Sequence, residues 1–276
     1  MKRFLLPADF AGGPVVELSG RSFHYLCRVR RMKVGDGCDA SDHAGNQYRL
    51  TMESVAADRC TAHLQAQPRS SDLSVAPESA ESSFRAGAAD LPEITLCQCL
   101  PKGSKLDLII RQATEAGVSR IVPLLSEYAV PQIDSESAAN RKLDRWRRIA
   151  REAFQQSGVS KLPQIDPPLP FAELERIRPR SPETIGLFFH QLPVGAGPLE
   201  QRSLHEYLSA DPQHIALVIG PEGGLSNNEI EQLLQSGFVP VFLGPHVLRT
   251  ETAALYAIAA VQIVLLEKKT WRIEKN

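Results

Sequence analysis

The chain has 276 residues, a formal net charge of −1 and 43% hydrophobic residues, which is enough for one large folded domain or two smaller ones. This composition excludes a globally disordered chain and a polycation, so any nucleic-acid surface must come from local clusters of cations. The five cysteines show no zinc-binding spacing, which predicts reduced thiols, no metal and a cytoplasmic location. We also predict no membrane segment, because the most apolar helix, about residues 252–266, is too short to span a bilayer.

Residues 1–68 are predicted to form a small β-barrel, because short apolar runs alternate there with turn signals. A short helix is expected among these strands at residues 22–31. The next segment, residues 69–90, is rich in serine, alanine, proline and glutamate and has no apolar period, so we interpret it as a flexible linker. The expected strands of the barrel cover residues 14–18, 47–52 and 60–64.

Residues 91–276 alternate strands with helices, a pattern that predicts a mainly parallel α/β domain. One helix has a clear start, because Ser226 and Glu229 have the spacing of a capping box. Another is expected to stop at Gly117. The expected strands cover residues 93–100, 120–125, 184–189, 214–219 and 238–243, and the expected helices cover residues 105–116, 140–156, 226–236 and a segment from about residue 252.

Two strand-to-loop junctions carry the most informative chemistry. A glycine turn, Gly220-Pro-Glu-Gly-Gly224, follows one apolar strand, and an arginine loop, residues 243–253, follows the next. Both are expected at the carboxyl edge of the sheet, where open α/β folds bind ligands. The glycine turn has neither the lysine of a phosphate-binding loop nor a GxGxxG pattern, so a tight structural turn is an equal alternative. Helix capping by Arg249 and Glu251 is the alternative in the arginine loop, but an arginine beside apolar packing favours a functional cation.

Two clusters of arginines stand out in this nearly neutral chain. The predicted helix at residues 140–156 carries Arg141, Arg145 and Arg148 on one face, around Trp146. A solvated helix face is the common explanation of such a run, but its density favours contact with phosphates. Two separate clusters indicate an extended polyanion rather than a small anion. The second cluster lies near the N-terminus and comprises Arg21, Arg28, Arg30 and Arg31.

No motif of a nucleophilic or zinc-dependent hydrolase is present, since the chain lacks GxSxG, HExxH and a catalytic cysteine signature. Most of the seven histidines are expected to be structural or surface residues. His190 and His246 are exceptions, because each lies at or just past the carboxyl end of a predicted strand.

The glycine turn and the arginine loop together resemble the bacterial small-subunit rRNA uridine-N3 methyltransferases (RsmE type), which belong to the SPOUT class of knotted methyltransferases. The resemblance covers nearly the whole chain except residues 68–90. The paired C-terminal motifs are specific, and the upstream motifs are supporting. These upstream motifs are Leu100-Pro-Lys-Gly103, Gln112-Ala-Thr-Glu-Ala-Gly-Val118, Pro123-Leu-Leu-Ser-Glu127, Glu152-Ala-Phe-Gln-Gln-Ser-Gly158 and His24-Tyr-Leu-Cys-Arg-Val-Arg-Arg-Met32.

The resemblance implies a PUA-like, RNA-binding β-barrel at residues 1–68 and a SPOUT α/β domain with a trefoil knot at residues 91–276. It implies an enzyme that uses S-adenosylmethionine to methylate N3 of one uridine in the decoding region of 16S rRNA. It also implies that the substrate is the assembled 30S subunit and that the protein is a homodimer. Two alternatives stay open: a related SPOUT methyltransferase acting on another rRNA or tRNA position, and a non-catalytic RNA-binding factor of ribosome assembly.

The resemblance also implies which residues form the site. Arg249 and Glu222 are expected nearest the methyl transfer, where Arg249 would stabilise the negative charge that develops on the uracil. Glu222 and water are the two candidates for accepting the N3 proton. Backbone groups of Leu243, Gly244 and Leu248 are expected to hold the adenine and ribose. The full set of implied cofactor residues is Leu187, His190, Gly220, Pro221, Glu222, Gly223, Gly224, Leu243, Gly244, Leu248, Arg249, Thr250, Glu251, Thr252 and Ala253.

Four positions depart from the pattern of this family. Arg111 stands in place of an expected lysine, and Ala116 stands in place of an expected leucine. Tyr128 and Val159 each replace an expected arginine near the expected RNA face. The chain is therefore predicted to lack some of the family's phosphate contacts.

Overall fold

The computed structural model describes residues 4–67, 91–130, 135–177, 181, 183–190 and 202–270. The chain divides into two compact units: Met1–Ala86 with Arg151–Leu162, and Gly87–Ala150 with Pro163–Asn276. The predicted linker, residues 69–90, lies outside the described residues. The domain boundaries at residues 68 and 91 therefore stay predictions.

The first unit is built on a five-stranded sheet. Its strands are β1 (Phe4–Leu5), β2 (Val15–Ser19), β3 (Gly37–Ser41), β4 (Gln47–Val55) and β5 (Arg59–Gln67). Their order is β1-β3-β4-β5-β2, with β1 and β3 parallel and all other neighbours antiparallel. The three predicted strands are confirmed. The sequence gives little sign of β1 and β3, because β1 has two residues and β3 buries only small side chains.

Alternation along these strands buries one face of the sheet and exposes the other. Leu50 and Met52 of β4 are buried, as are Cys60, Ala62 and Leu64 of β5. These side chains belong to one core cluster together with residues of the helical segment that follows β2. β1 and β2 form the two edges of the described sheet, which is a curled half-barrel and confirms the predicted small β-barrel.

The helix expected at residues 22–31 begins earlier and has an unusual winding. A single α-helical turn, α1 (Gly20–Phe23), leads directly into a π-helix at His24–Val29. Leu26 is fully buried, so this segment packs on the core, and Arg31 follows it with a φ of 56°. π-Helical turns are rare and occur frequently at functional sites. This one carries part of the N-terminal arginine cluster.

The second unit contains a seven-stranded sheet. Its strands are β6 (Glu93–Cys99), β7 (Arg120–Leu125), β8 (Gln164–Ile165), β9 (Leu169–Pro170), β10 (Thr184–His190), β11 (His214–Ile219) and β12 (Phe238–Phe242). The order is β12-β10-β11-β6-β7-β8, with β9 also beside β7. Every described pair is parallel, which confirms the predicted α/β sheet.

The helices that follow α1 are α2 (Lys105–Glu115), α3 (Glu136–Gln156), α4 (Leu204–Tyr207), α5 (Asn227–Gln235) and α6 (Thr250–Thr270), with a 3-10 helix at Phe171–Arg176. The predicted capping box is confirmed at α5. Ser226 Oγ accepts from Glu229 N at 3.2 Å, and Glu229 Oε2 accepts from Ser226 N at 2.8 Å. Gly117 follows α2 with a φ of 80°, as expected for a glycine that ends a helix.

Helices cover both faces of the parallel sheet. Cys97 and Cys99 share one face and belong to one core cluster with Ile230 and Leu233 of α5. Gln98 lies on the opposite face, because successive residues of a strand point to opposite sides. On that side α6 contacts β6 and β11 and packs on α2. Coverage of both faces explains why these strands are nearly continuous apolar runs.

The last helix is longer than the sequence predicts. It begins at Thr250, and Thr250–Lys268 is long and apolar enough, by length and composition alone, to cross a membrane. The prediction that this helix is too short for a span is therefore wrong. The result is weak support for a membrane span, because core helices of soluble proteins pass the same test and α6 packs on α2, β6 and β11. Its buried side is lined by Ala254, Ala257, Ile258, Val261 and Leu265.

Candidate active site

The three strands β10, β11 and β12 end at the same edge of the sheet. Phe189 lies opposite Ile219, and His190 lies opposite Phe242. Because all three strands are parallel, the glycine turn after β11 and the arginine loop after β12 leave the sheet at its carboxyl edge. The structure thus places the two predicted loops together, at the edge where open α/β sheets bind ligands.

A buried glutamine joins the two loops. Gln98 Nε2, at the end of β6, donates to Thr250 Oγ1 at 3.0 Å and to the Ile219 carbonyl at 3.4 Å. Thr250 Oγ1 in turn donates to the Gly220 carbonyl at 2.8 Å. Gln98 is fully buried, and a buried polar side chain is tolerated only where it is hydrogen-bonded. The chain of bonds therefore fixes the first residue of α6 to the first residue of the glycine turn.

The glycine turn is folded tightly on itself. Gly224 N donates to the Pro221 carbonyl at 3.0 Å, and Gly224 has a φ of 76°, a conformation that favours glycine. A Cβ on Gly220 would lie 3.2 Å from the Gly224 carbonyl carbon. Glycine is thus favoured at both ends of the turn for different reasons, positive φ at Gly224 and close backbone approach at Gly220.

Glu222, within the glycine turn, is bound by two donors from the segment after β6. Its carboxylate accepts from Lys105 Nζ at 2.6 Å and from the Lys102 backbone N–H at 3.2 Å. Burial raises the pKa of this carboxyl, but the Lys105 hydrogen bond and backbone N–H groups outweigh burial and hold the pKa below its usual value. The same hydrogen bond raises the pKa of Lys105. Glu222 and Lys105 are therefore both charged at neutral pH.

Arg249 and Glu251 stand at the start of α6. The Arg249 side chain is exposed and has no hydrogen bond or ion pair within the described parts of the chain, while its carbonyl accepts from Thr252 N and Ala253 N. Glu251 Oε2 is buried and lies 3.8 Å from Lys105 Nζ, with no hydrogen bond from a described residue. The edge thus presents an exposed guanidinium, while the buried Glu251 Oε2 forms an ion pair with Lys105.

The other predicted cofactor residues differ in their access to this edge. Leu187 is fully buried three positions before the end of β10, so its side chain lies in the core of the sheet. His190 ends that strand half-buried, and burial lowers its pKa. Gly244 has a φ of 126°, and a Cβ built on it would meet no atom within 4 Å. Residues 191–200, which follow β10, lie outside the described residues.

The basic face of α3 is exposed, as predicted, but its arginines are engaged to different degrees. Arg145 forms an ion pair with Asp107 of α2, which lies 38 residues earlier in the chain. Arg141 donates to a serine hydroxyl one turn earlier at 2.6 Å. Arg148 has no hydrogen bond or ion pair to any residue that the structure describes. Trp146 is buried on the other side of the helix.

The second predicted cluster lies in the first unit, around the π-helix. Arg21, Arg28 and Arg31 are exposed, and Arg30 is half-buried. The Arg28 guanidinium lies 5.8 Å from the ring centroid of Phe23. Each unit therefore carries its own exposed group of cations, and contact of either group with RNA stays a prediction.

Among the described residues, no group of three or more His, Cys, Asp or Glu side chains is placed to hold a metal ion. All five cysteines are free thiols, and four of them are buried. Burial raises the pKa of the Cys97 thiol to about 12, so this group stays protonated and unreactive at neutral pH.

Comparison with known proteins identifies the family. Residues 89–262 match the model of the RNA methyltransferase domain, and residues 18–65 match that of the RNA methyltransferase PUA domain. Ribosomal RNA small subunit methyltransferase E from Synechocystis sp. is 35% identical over 253 residues, which cover 91% of this chain and 73% of the relative. Its counterpart from Bacillus subtilis is 28% identical, with 90% of each chain covered.

A solved structure gives the same result. Ribosomal RNA small subunit methyltransferase E from Neisseria gonorrhoeae, bound to S-adenosyl methionine, has a TM-score of 0.73 to this chain and 27% sequence identity. The match covers 96% of this chain and 98% of that one. This chain therefore belongs to the RNA methyltransferase family that includes the ribosomal RNA small subunit methyltransferases E.

Proposed function

We propose that this protein is an S-adenosylmethionine-dependent rRNA methyltransferase that acts on N3 of a uridine in the decoding region of 16S rRNA. One observation carries the proposal. The glycine turn and the arginine loop, the two motifs most specific to the family, are joined at one sheet edge by Gln98 and Thr250, and the Arg249 guanidinium is exposed there. The relatives named as small-subunit rRNA methyltransferases support the substrate class.

The residues at this edge fit S-adenosylmethionine. Gly244 has a positive φ and open space where a side chain would stand, so backbone groups can approach an adenosine closely there. We assign the adenine and ribose to the backbone of Leu243, Gly244 and Leu248. The buried Glu251 oxygen is an acceptor without a hydrogen bond among the described residues. When bound, the cofactor supplies an electrophilic methyl group on a sulfonium, so the protein needs no nucleophile of its own.

The protein's task is to hold the uracil in line and to manage its charge. The N3 atom must lose a proton, and Arg249 stabilises the negative charge that then develops on the ring. Correct placement of the two reactants contributes up to about 7–11 kcal/mol, because the step becomes effectively unimolecular.

Water is our assignment for the acceptor of the N3 proton. Glu222 is already bound by Lys105 and by the Lys102 backbone, and its lowered pKa makes it a weak base. The main role of Glu222 is therefore to hold the glycine turn against the segment that begins α2.

The substrate uridine must be unpaired or flipped out of a helix to reach this edge. We propose that Arg21, Arg28, Arg30 and Arg31 of the first unit and Arg141, Arg145 and Arg148 of α3 contact RNA phosphates of the 30S subunit. Exposure of most of these side chains supports the proposal. The free state of all five cysteines supports a cytoplasmic location.

A homodimer is the assembly that α6 favours. The side of this helix away from the core exposes Leu255, Tyr256 and Ile263, with exposed fractions of 37%, 52% and 55%. An exposed apolar stripe of this kind marks a protein interface, and self-association through one symmetric patch is the commonest solution. Sedimentation of Tyr256→Asp should then give a monomer where the wild type gives a dimer.

The trefoil knot is also part of the proposal. After β11 the chain returns to the far side of β10 as β12, and α6 then packs back on β6 and β11. This return path is what threading of the C-terminal segment requires, and it is rare enough that sequence rules alone exclude it.

Mass mapping of methylated rRNA tests the activity. Small subunits from a strain lacking the gene are incubated with the purified protein and labelled S-adenosylmethionine. We expect one new methyl group, on N3 of a decoding-region uridine. A methyl group on another nucleotide would favour the related SPOUT activity, and no cofactor binding by calorimetry would favour a non-catalytic assembly factor.

A further inference from the structure

Tyr128 lies against the glycine turn. It belongs to a short turn after β7, in which Ala129 N donates to the Ser126 carbonyl at 3.1 Å. A Cβ built on Gly223 would lie 3.0 Å from Tyr128 Cβ, so the tyrosine side chain starts in contact with the turn. Half of that side chain, 50%, is nevertheless exposed.

The turn that carries Tyr128 is fixed by a buried carboxylate. Glu229 Oε1 accepts from Glu127 N at 2.8 Å, and Glu229 Oε2 accepts from Ser226 N at 2.8 Å. Glu229 is only 5% exposed, so both hydrogen bonds are shielded from water. One side chain thus ties the residue before Tyr128 to the start of α5, directly after the glycine turn. The ring is presented from a rigid base and does not depend on a flexible loop.

Two exposed cations lie near the same glycine turn. Lys102 is exposed, and its backbone N–H binds Glu222 in the same turn that Tyr128 contacts. Arg249 is exposed and lies close enough to Lys105 to oppose the charge of that ammonium. An aromatic face accompanied by cations is the chemistry with which proteins bind unpaired nucleotides, by stacking on the base and attraction to the phosphate.

We propose that Tyr128 stacks on an unpaired base of the substrate RNA and thereby positions the strand at the methyl-transfer edge. The proposal deepens the proposed function and rests on it. Tyr128 stands where the resemblance to the family leads us to expect an arginine. Both side chains offer a flat surface to a base, so this chain keeps the stacking surface and gives up one positive charge.

Affinity for a short fluorescein-labelled oligouridylate, measured by anisotropy, tests the contact in the full-length protein. Tyr128→Ala should weaken binding by about 5- to 150-fold, equivalent to the ~1–3 kcal/mol that stacking contributes per base. Tyr128→Phe should bind like the wild type, because the ring is kept. Tyr128→Arg should bind within a few-fold and show a steeper dependence on salt, because the cation is restored.

Two controls separate stacking from a structural role. Calorimetry should give the same affinity for S-adenosylmethionine in all three variants, and the loss in methyl transfer should appear in KM for RNA rather than in kcat. Tyr207→Ala, which removes another tyrosine of the second unit, should leave oligouridylate binding unchanged.

Two results would overturn the proposal: wild-type RNA affinity in Tyr128→Ala, or a parallel loss of cofactor affinity, which would make Tyr128 a packing residue of the turn. Failure of the proposed function is separately visible. If the wild type methylates no RNA but its oligouridylate affinity still depends on the Tyr128 ring, the stacking contact stands and the assigned activity falls.

Discussion

The carboxyl edge of the sheet and the basic face of α3 both carry polar side chains, but these are held in different ways. At the edge, Gln98, Thr250 and Gly220 form a buried chain of hydrogen bonds. On α3, Arg141 and Arg145 are exposed and have surface partners. A buried network of hydrogen bonds favours one geometry, whereas an exposed ion pair contributes about 0–1 kcal/mol and is easily broken. The edge is built for one small ligand, and the helix face is suited to a polyanion of variable shape.

The largest effect is expected at Arg249, the exposed cation of the rigid edge. Arg249→Ala should slow methyl transfer by about 10²- to 10³-fold, because it removes the charge that stabilises the uracil anion. The guanidinium has no hydrogen bond or ion pair among the described residues, so thermal stability should stay at the wild-type level. Single-turnover transfer of a labelled methyl group gives the rate. Normal turnover would refute the role assigned to Arg249.

Gln98→Leu tests whether the buried network creates the cofactor site. The substitution keeps the size of the side chain but removes the donor to Thr250. The free energy of unfolding should fall by about 1–3 kcal/mol. Affinity for S-adenosylmethionine should fall about tenfold, as for a loss of about 1.4 kcal/mol, because α6 is no longer fixed to the glycine turn. Chemical denaturation and calorimetry measure the two effects.

Gln262→Leu is the matched control for that variant. Gln262 Nε2 donates to the Ala116 carbonyl at 2.6 Å and joins α6 to the end of α2. Its loss should lower stability to a similar extent and leave cofactor affinity unchanged. If the two variants lose cofactor affinity equally, the network has no special link to the site.

The pH dependence of cofactor binding tests the Glu222 contact. The pKa of Glu222 in the folded protein lies below its ordinary value of 4.5. Its contribution to stability is therefore complete above pH 4.5 and is lost as the pH falls through the pKa of the folded state. The contribution of Glu222 to wild-type affinity for S-adenosylmethionine should therefore be flat from neutral pH down to 4.5. In Lys105→Met, burial still raises the pKa of Glu222, while a main contact that lowers this pKa is gone. As the pH falls, the affinity of this variant should therefore begin to decline at a higher pH than that of the wild type.

Lys105→Arg keeps a cation beside Glu222 and should keep the flat profile. Calorimetry across a pH series distinguishes the three proteins. Superimposable profiles for wild type and Lys105→Met would mean that Glu222 does not hold the turn through Lys105.

The smallest effects are expected on the α3 face. Arg148→Ala should reduce the slope of log affinity for RNA against log salt by about 0.7–0.9, the value for one phosphate contact. Arg145→Ala should change it less, because Asp107 already neutralises that arginine, and Asp107→Asn should strengthen RNA binding. An unchanged slope in Arg148→Ala would identify the face as a solvated surface without a role in RNA binding.

Local patterns in the sequence predict the local parts of this fold. Arg120–Leu125 and His214–Ile219 have the predicted bounds, because buried parallel strands are apolar runs with sharp ends. The capping box of Ser226 and Glu229 is equally local. The π-helical winding of His24–Val29 and the two-residue strand β8 leave no such pattern, since tertiary packing decides them.

The site is predicted only in part, because its contacts join distant segments. The glycine turn and the arginine loop are visible as motifs. The partners that hold these loops are Gln98, 152 residues before Thr250, and Lys105, 117 residues before Glu222. Hydrophobic periodicity in the sequence gives no information about contacts between residues so far apart. A lone glutamine at the end of an apolar strand is the one signal that marks Gln98, since a polar residue there requires a buried partner.

The hydrogen bond from Gln98 to Thr250 also bears on when, during synthesis and folding, the site can form. The ribosome makes the strand that carries Gln98 well before the helix that carries Thr250, and a contact across 152 residues carries a large loop-closure entropy. A nascent chain that ends before α6 has the glycine turn and its Glu222 contacts, but it lacks the hydrogen bond from Thr250 to Gly220. Cofactor capture is therefore a late event in biogenesis, and it reports that the C-terminal helix has docked.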